Sequence, residues 1–117
     1  MAFEDLDVWK RSSRLSVNIY KEFNGLKDYG FKDQITRAGL SIPCNIAEGI
    51  ERKSSKEAAN FLSYARGSCG ELRTQIYIGM DIGYIKDKTG KKWIAETKEI
   101  SAMLVGLMKS VYQTSAN

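Results

Sequence analysis

Two glutamates in this chain could do acid–base or metal chemistry, Glu48 and Glu71, and each stands in a run of polar residues at helical spacing. Arg37, Ser41, Asn45, Glu48 and Arg52 follow one another at intervals of four, four, three and four. Arg66, Ser68, Glu71, Arg73 and Gln75 make a second run, with Gly67 and Gly70 among them. Paired carboxylates on facing helices are the core of di-metal bundles, but those sites draw further ligands from Glu-x-x-His repeats. The 117-residue chain has no histidine. That removes the commonest general base, the commonest metal ligand and every Ser-His or Cys-His dyad. It also leaves nothing to complete an arginine–histidine ribonuclease motif. A non-enzyme is expected, without metal, cofactor or small-molecule substrate. Arg37, Ser41, Asn45, Glu48, Ser68 and Glu71 read instead as a structural polar network that fixes helix register, as buried polar residues do in coiled coils. Direct contact with a ligand or partner subunit is the alternative. A mid-helix glycine costs about 1 kcal/mol against alanine, so Gly67 and Gly70 predict close approach of a neighbouring backbone.

The remaining candidates are cationic. Lys10, Arg14 and Lys21 fall at i, i+4 and i+11, with Arg11 alongside. Arg52, Lys53 and Lys56 cluster together, and Arg66 and Arg73 share a face. With 18 basic and 14 acidic side chains the net charge is +4 and the pI about 9.1. Such a balance favours acidic partners, nucleic acid first, while solvated helix faces are the plain alternative. Repeated around a symmetric oligomer, the same stripes would join into one large positive surface. Cys44 and Cys69 have no metal or disulfide spacing and are expected as free, buried thiols.

These residues need elements to hold them, and the periodicity predicts four helices. The first covers Glu4 to Phe23, with Val8, Leu15 and Ile19 on one side and Trp9, Tyr20 and Phe23 beside them. Phe3 is placed to staple onto Val8, and Glu4, Asp5 and Asp7 suit the positive end of the helix dipole. Asn24 to Gly30 reads as a turn. The second helix covers Phe31 to Ile50, with Phe31, Ile35, Ala38, Ile42, Ile46 and Ile50 in phase. That phase crosses Pro43, the chain's single proline, which predicts one kinked helix rather than a new one starting near Ser41. Gly39, four residues back, spares the proline ring a side chain. Ser54-Ser55-Lys56-Glu57 is a capping box. From it a long helix runs to about Gly83, with Ala58, Leu62, Ala65, Cys69, Leu72, Ile76 and Gly79 as its seam. Lys86 to Gly90 reads as a turn, and a last helix covers Lys91 to Ser115 with Trp93, Thr97, Ile100, Leu104, Leu107 and Val111 inward. Short links between long helices force antiparallel neighbours, so the expected fold is an all-α, up-down-up-down four-helix bundle in a single domain. The start MAFEDLDVWK lacks a basic region followed by an apolar stretch, and no run approaches the ~18 apolar residues of a membrane span. A cytoplasmic protein with no membrane partner is expected.

The segments Phe3–Lys10, Gln34-Ile35 with Arg37-Ala38, Ser41-Ile42-Pro43-Cys44-Asn45-Ile46-Ala47-Glu48-Gly49, Ala65-Arg66-Gly67-Ser68 with Glu71-Leu72, and Leu104-Gly106-Leu107 resemble the four helix bundle family of 23S rRNA intervening-sequence (S23-like) proteins. These are small bacterial proteins often encoded within intervening sequences of 23S ribosomal RNA genes. The resemblance spans nearly the whole chain. Cys44 stands where a serine is usual, and the turn after Phe23 lacks the common proline. The resemblance implies a four-helix bundle that assembles into a ring, a homopentamer, with no established enzymatic activity. A similar fold and ring occur in the accessory variability proteins of diversity-generating retroelements, which bind nucleic acid and a reverse transcriptase. By that analogy the partners are further copies of the chain and RNA, ribosomal RNA or an RNA–protein complex. The contacts would fall on Lys10, Arg11, Arg14, Lys21, Arg52, Lys53, Lys56, Arg66 and Arg73. An assembly protein that holds another protein, with no RNA contact of its own, is the alternative.

Overall fold

Local chemistry starts and stops each helix of the computed structural model, which describes residues 1–116. A short 3-10 turn at Phe3–Asp5 precedes α1, Asp7–Glu22; α2 is Tyr29–Glu51, α3 Ser55–Asp81 and α4 Asp87–Ala116, with no strand among the described residues. The first expected helix is thus divided at Leu6, and the Phe3 ring meets Trp9 with centroids 5.3 Å apart. Asp28 caps α2 by accepting the Phe31 N–H at 3.1 Å, which starts that helix two residues earlier than the periodicity predicts. Ser54 caps α3 by accepting the Glu57 N–H, also at 3.1 Å, which is the serine half of the expected capping box. At the far end Gly83 takes φ +85°, and the Tyr84 and Gly83 N–H groups return to the Gly79 and Met80 carbonyls at 2.8 and 3.2 Å. This is a Schellman stop, which needs a residue free to adopt positive φ.

The expected turn at Lys86–Gly90 is a correction. The connection is Ile82–Lys86, α4 already runs from Asp87, and Gly90 is buried inside it against Met80. The glycine that looked like a turn residue instead makes room for a methionine from α3.

α2 continues through the buried Pro43 without interruption. Gly39 also serves the contact with α1, since a Cβ there would lie 3.3 Å from Ile19 Cδ1 and 3.8 Å from Ser16 Cα. Neighbouring helices meet in reversed sequence order. Gly49 of α2 faces Ala58 of α3, Ser41 bonds Ser68, and Phe31 lies against Gly79. Likewise Met80, Arg73 and Arg66 of α3 meet Gly90, Thr97 and Ser101 of α4. All seven residues of the α3 seam are buried, with Ile35, Ala38, Ile42 and Ile46 of α2 and Trp93, Thr97, Ile100 and Leu104 of α4. On α1 the buried positions are Val8, Ser12, Leu15, Ser16 and Ile19, followed by Phe23. Ser12 holds its place in the core by donating to the Trp9 carbonyl at 3.1 Å. Tyr20, expected beside this face, is 46% exposed. Cys44 is a second correction: it is exposed on α2, whereas Cys69 is buried and burial pushes its thiol up to about 11.

Candidate nucleic-acid interface

The sparsest helix contact is between α1 and α4, and the gap between them is a basic groove. Two adjoining open cavities, about 600 and 260 Å³, run along it. Arg14, Asn18, Lys21 and Glu22 line it from α1, and Lys88, Lys92, Trp93 and Glu96 from α4, so its cations share the groove with two carboxylates. Lys88 and Lys92, one helical turn apart, were missed in the sequence because Lys88 falls in the supposed turn. Their i, i+4 spacing directly behind Asp87 was the available signal of a helix start. Trp93 is only 5% exposed and packs edge-on to Phe23, so no indole face is presented for stacking a base. Side chains of this kind hold phosphates and leave base sequence unread.

Arg11 lies in the same groove but is already engaged. Its Nε–H donates to Glu96 Oε2 at 3.0 Å, Nη2 donates to Glu96 Oε1 and to the Glu99 carboxylate, and Nη1 reaches the Met103 sulfur at 3.6 Å. The hydrogen bonds from Arg11 hold Glu96 below the usual carboxylate range, and the same bonds push the guanidinium up. Arg11 therefore clamps α1 to α4 and neutralises part of the acid that would repel a phosphate. Lys10 is exposed one turn before Arg14 on α1 and lines neither cavity.

The other cations occupy different places. Lys53 and Lys56 are exposed at the opposite end of the bundle, where a cavity of about 300 Å³ is lined by Arg52, Lys53, Ser54 and Met1. Arg52 donates to Glu48 at 2.8 Å and stacks over Phe61 at 4.5 Å. Arg66 and Arg73 lie on the α3/α4 face and donate to Ser101 and Thr97. The nine cations expected to act together are thus split among a groove, an end and a face.

The six-residue polar network is reduced to three. The Ser41 and Ser68 hydroxyls share a hydrogen bond of 2.9 Å across α2 and α3, and Asn45 Nδ2 donates to Ser41 Oγ and to the Ser41 carbonyl, each at 2.9 Å. That carbonyl is not the Gly39 carbonyl, which Pro43 cannot serve. Glu48 turns instead to Arg52, and Gln75 reaches Glu71 at 3.5 Å. Arg37 is exposed and has no hydrogen bond to the trio among the described residues. Glu48 and Glu71 therefore do not converge on a shared partner. Gly67 and Gly70 also depart from expectation: a Cβ on either would meet nothing within 4 Å, so no neighbouring backbone of this chain approaches them.

No helix among the described residues is long and apolar enough to cross a membrane. No curated protein matches the chain. A crystal structure of a protein of unknown function from the S23 ribosomal protein family of Bacteroides thetaiotaomicron is similar, with a TM-score of 0.81 and 26% identity over 87% of this chain and 98% of that one. The model of the family described as 23S rRNA-intervening sequence protein matches residues 4–106, and with the SIPCNIAEG helix and bundle already in place, the chain belongs to that family.

Proposed function

We propose that this protein binds structured RNA, ribosomal RNA foremost, as a non-enzymatic cytoplasmic protein, and that its copies assemble into a ring of five. The observation that carries the RNA reading is the α1/α4 groove, where Arg14, Lys21, Lys88 and Lys92 line continuous open space and the nearby Glu96 is engaged by Arg11. Phosphate contacts supply the affinity, and shape rather than sequence selects the RNA. Lys10 extends the positive stripe along α1, while Lys53 and Lys56 would add to it only from a neighbouring copy. Assembly is supported by Tyr64 and Ile78 of α3 and Ile82 just beyond its end, which are each about half exposed. The same side chains favour the second reading, an assembly protein that holds another protein.

Binding of a 23S ribosomal RNA fragment, followed by gel shift from 50 to 200 mM salt, tests the RNA reading. Four phosphate contacts predict a slope of log K against log salt of about −3 to −4, a loss of roughly a hundredfold. The variant Lys21→Glu, Lys88→Glu, Lys92→Glu should lose most of that binding while light scattering still returns the wild-type subunit count. A triple variant that keeps full RNA affinity would overturn the groove as the RNA site, and a wild type that binds no RNA fragment while the triple variant keeps its cellular protein partners would leave only the second reading.

A further inference from the structure

The α3/α4 face carries a second basic feature, separate from the groove. Arg66 and Arg73 are seven residues apart on α3, a rise of about 10 Å along the helix. Each guanidinium spends its Nε–H on a neutral hydroxyl of α4, Arg66 on Ser101 Oγ at 3.3 Å and Arg73 on Thr97 Oγ1 at 2.9 Å. Those two hydroxyls are only four residues apart, about 6 Å of rise, so the tethers draw the guanidiniums towards each other. Neither arginine is in an ion pair among the described residues. Their Nη groups, the bidentate end of the fork, therefore remain for an outside acceptor.

The space between them is kept open by glycine. A cleft of about 360 Å³ is lined by Ser63, Arg66, Gly67, Gly70, Arg73 and Ser101, and no carboxylate borders it. Packing within the chain does not require glycine at positions 67 and 70, since a Cβ there would touch nothing. Any longer side chain at Gly70, which lies between the two arginines in sequence, would enter the cleft. Two mid-helix glycines that serve no internal contact, beside two tethered and unneutralised guanidiniums, have a common explanation in a bound anion.

We infer that this cleft binds a phosphate group between Arg66 and Arg73. A tetrahedral oxyanion accepts two charge-assisted forks at once, and the hydroxyl tethers fix both side chains before it arrives. The phosphate is either a diester of bound RNA, in which case the site rests on the RNA reading above, or a free phosphate group, in which case it does not.

The test uses the full chain, with nitrogen-15 NMR of the arginine Nε–H groups during titration with inorganic phosphate, and fluorescence anisotropy with a 23S ribosomal RNA fragment. Gly70→Leu fills the cleft while improving helix propensity, so the fold is retained. Arg66→Gln with Arg73→Gln removes the charge. Phosphate should move the Arg66 and Arg73 signals of the wild type and leave them unmoved in Gly70→Leu. The double arginine variant should bind RNA about tenfold more weakly, with the salt slope reduced by about one to two. Moved signals with unchanged RNA affinity assign the cleft to free phosphate, and weakened RNA binding without moved signals assigns it to the diester. Unmoved signals together with wild-type RNA affinity in both variants overturn the inference. A wild type that binds no RNA, yet whose two arginine signals still respond to phosphate, removes the groove reading and leaves the cleft standing.

Discussion

The α2/α3 and α1/α4 seams solve the same packing problem with opposite chemistry. Between α2 and α3 the contact is close and neutral. Gly49 lies so near α3 that a Cβ would come within 3.0 Å of the Ala58 carbonyl, and the polar link is the Ser41–Ser68–Asn45 trio. Between α1 and α4 the helices stand further open, and Arg11 spans the gap to Glu96 and Glu99. A neutral, small-residue seam leaves nothing for a ligand to engage. A charged, gapped seam exposes its remaining cations to whatever fills the gap. The closest packing and the most exposed charge thus lie on different edges of one bundle.

The largest effect that would sharpen this contrast is in the neutral half. Leu62→Ala removes a fully buried side chain of the α3 seam and should cost about 2–5 kcal/mol, read as a lower urea midpoint with unchanged m-value. Under conditions where the variant remains folded, its RNA salt slope should match the wild type. A changed slope would mean that α3 packing and the groove are coupled.

A smaller effect is expected from the charged half. Arg11→Met keeps the apolar stem but leaves Glu96 and Glu99 unneutralised. With the Arg11 side chain 32% exposed, solvent screening limits the cost to about 1 kcal/mol, and less at high salt. Glu96 is held below its unfolded pKa, so its contribution is present above the unfolded value and fades as pH falls through the folded one. The gap in Tm between wild type and Arg11→Met should therefore be widest near neutral pH and close in acid. A gap that persists in acid would show that Arg11 acts by packing alone.

How much of this could be read in the sequence differs between the same two edges. The α3 seam was legible residue by residue, because periodicity reports the side of a helix that faces the core and Ala58 through Gly79 repeat without a break. The cap at Ser54 and the stop at Gly83 were legible for the same local reason. The groove was not, because it is made where two helices more than 60 positions apart converge, and Lys88 carries no mark of its distance to Lys21. Gly90 misled the boundary of α4, since a glycine admitting Met80 and a glycine making a turn are identical in one dimension. Ser12 and Ser16 were passed over as polar although both are buried, one by bonding its own helix and the other where α1 comes close to Gly39. Arg11 looked like its neighbours Lys10 and Arg14, and only the position of Glu96 across the gap distinguishes it.

The smallest effect lies at the end where the two seams meet, and it separates them by pH. Asp28 accepts the Phe31 N–H at the start of α2 and the Tyr84 hydroxyl at 2.8 Å from the α3–α4 connection. The Tyr84 hydrogen bond first, and the backbone bond second, lower the Asp28 carboxyl, while the same Asp28 bond raises Tyr84. The signs are opposite. The contribution of Asp28 is present above its unfolded pKa and is lost as pH falls through the lower folded one. That of Tyr84 is present below its unfolded pKa and is lost as pH rises through the higher folded one. Asp28→Asn should flatten both sides of the Tm profile, whereas Tyr84→Phe should flatten the alkaline side and only part of the acid side, since the Phe31 N–H bond of the α2 cap still lowers Asp28. Both polar groups face solvent, so the effect on stability is small and needs thermal melts in parallel at closely spaced pH. If Tyr84→Phe flattened neither side, the hydroxyl would not be holding the connection, and apolar contacts such as Gly90 against Met80 and Trp93 against Phe23 would anchor the groove end of α4.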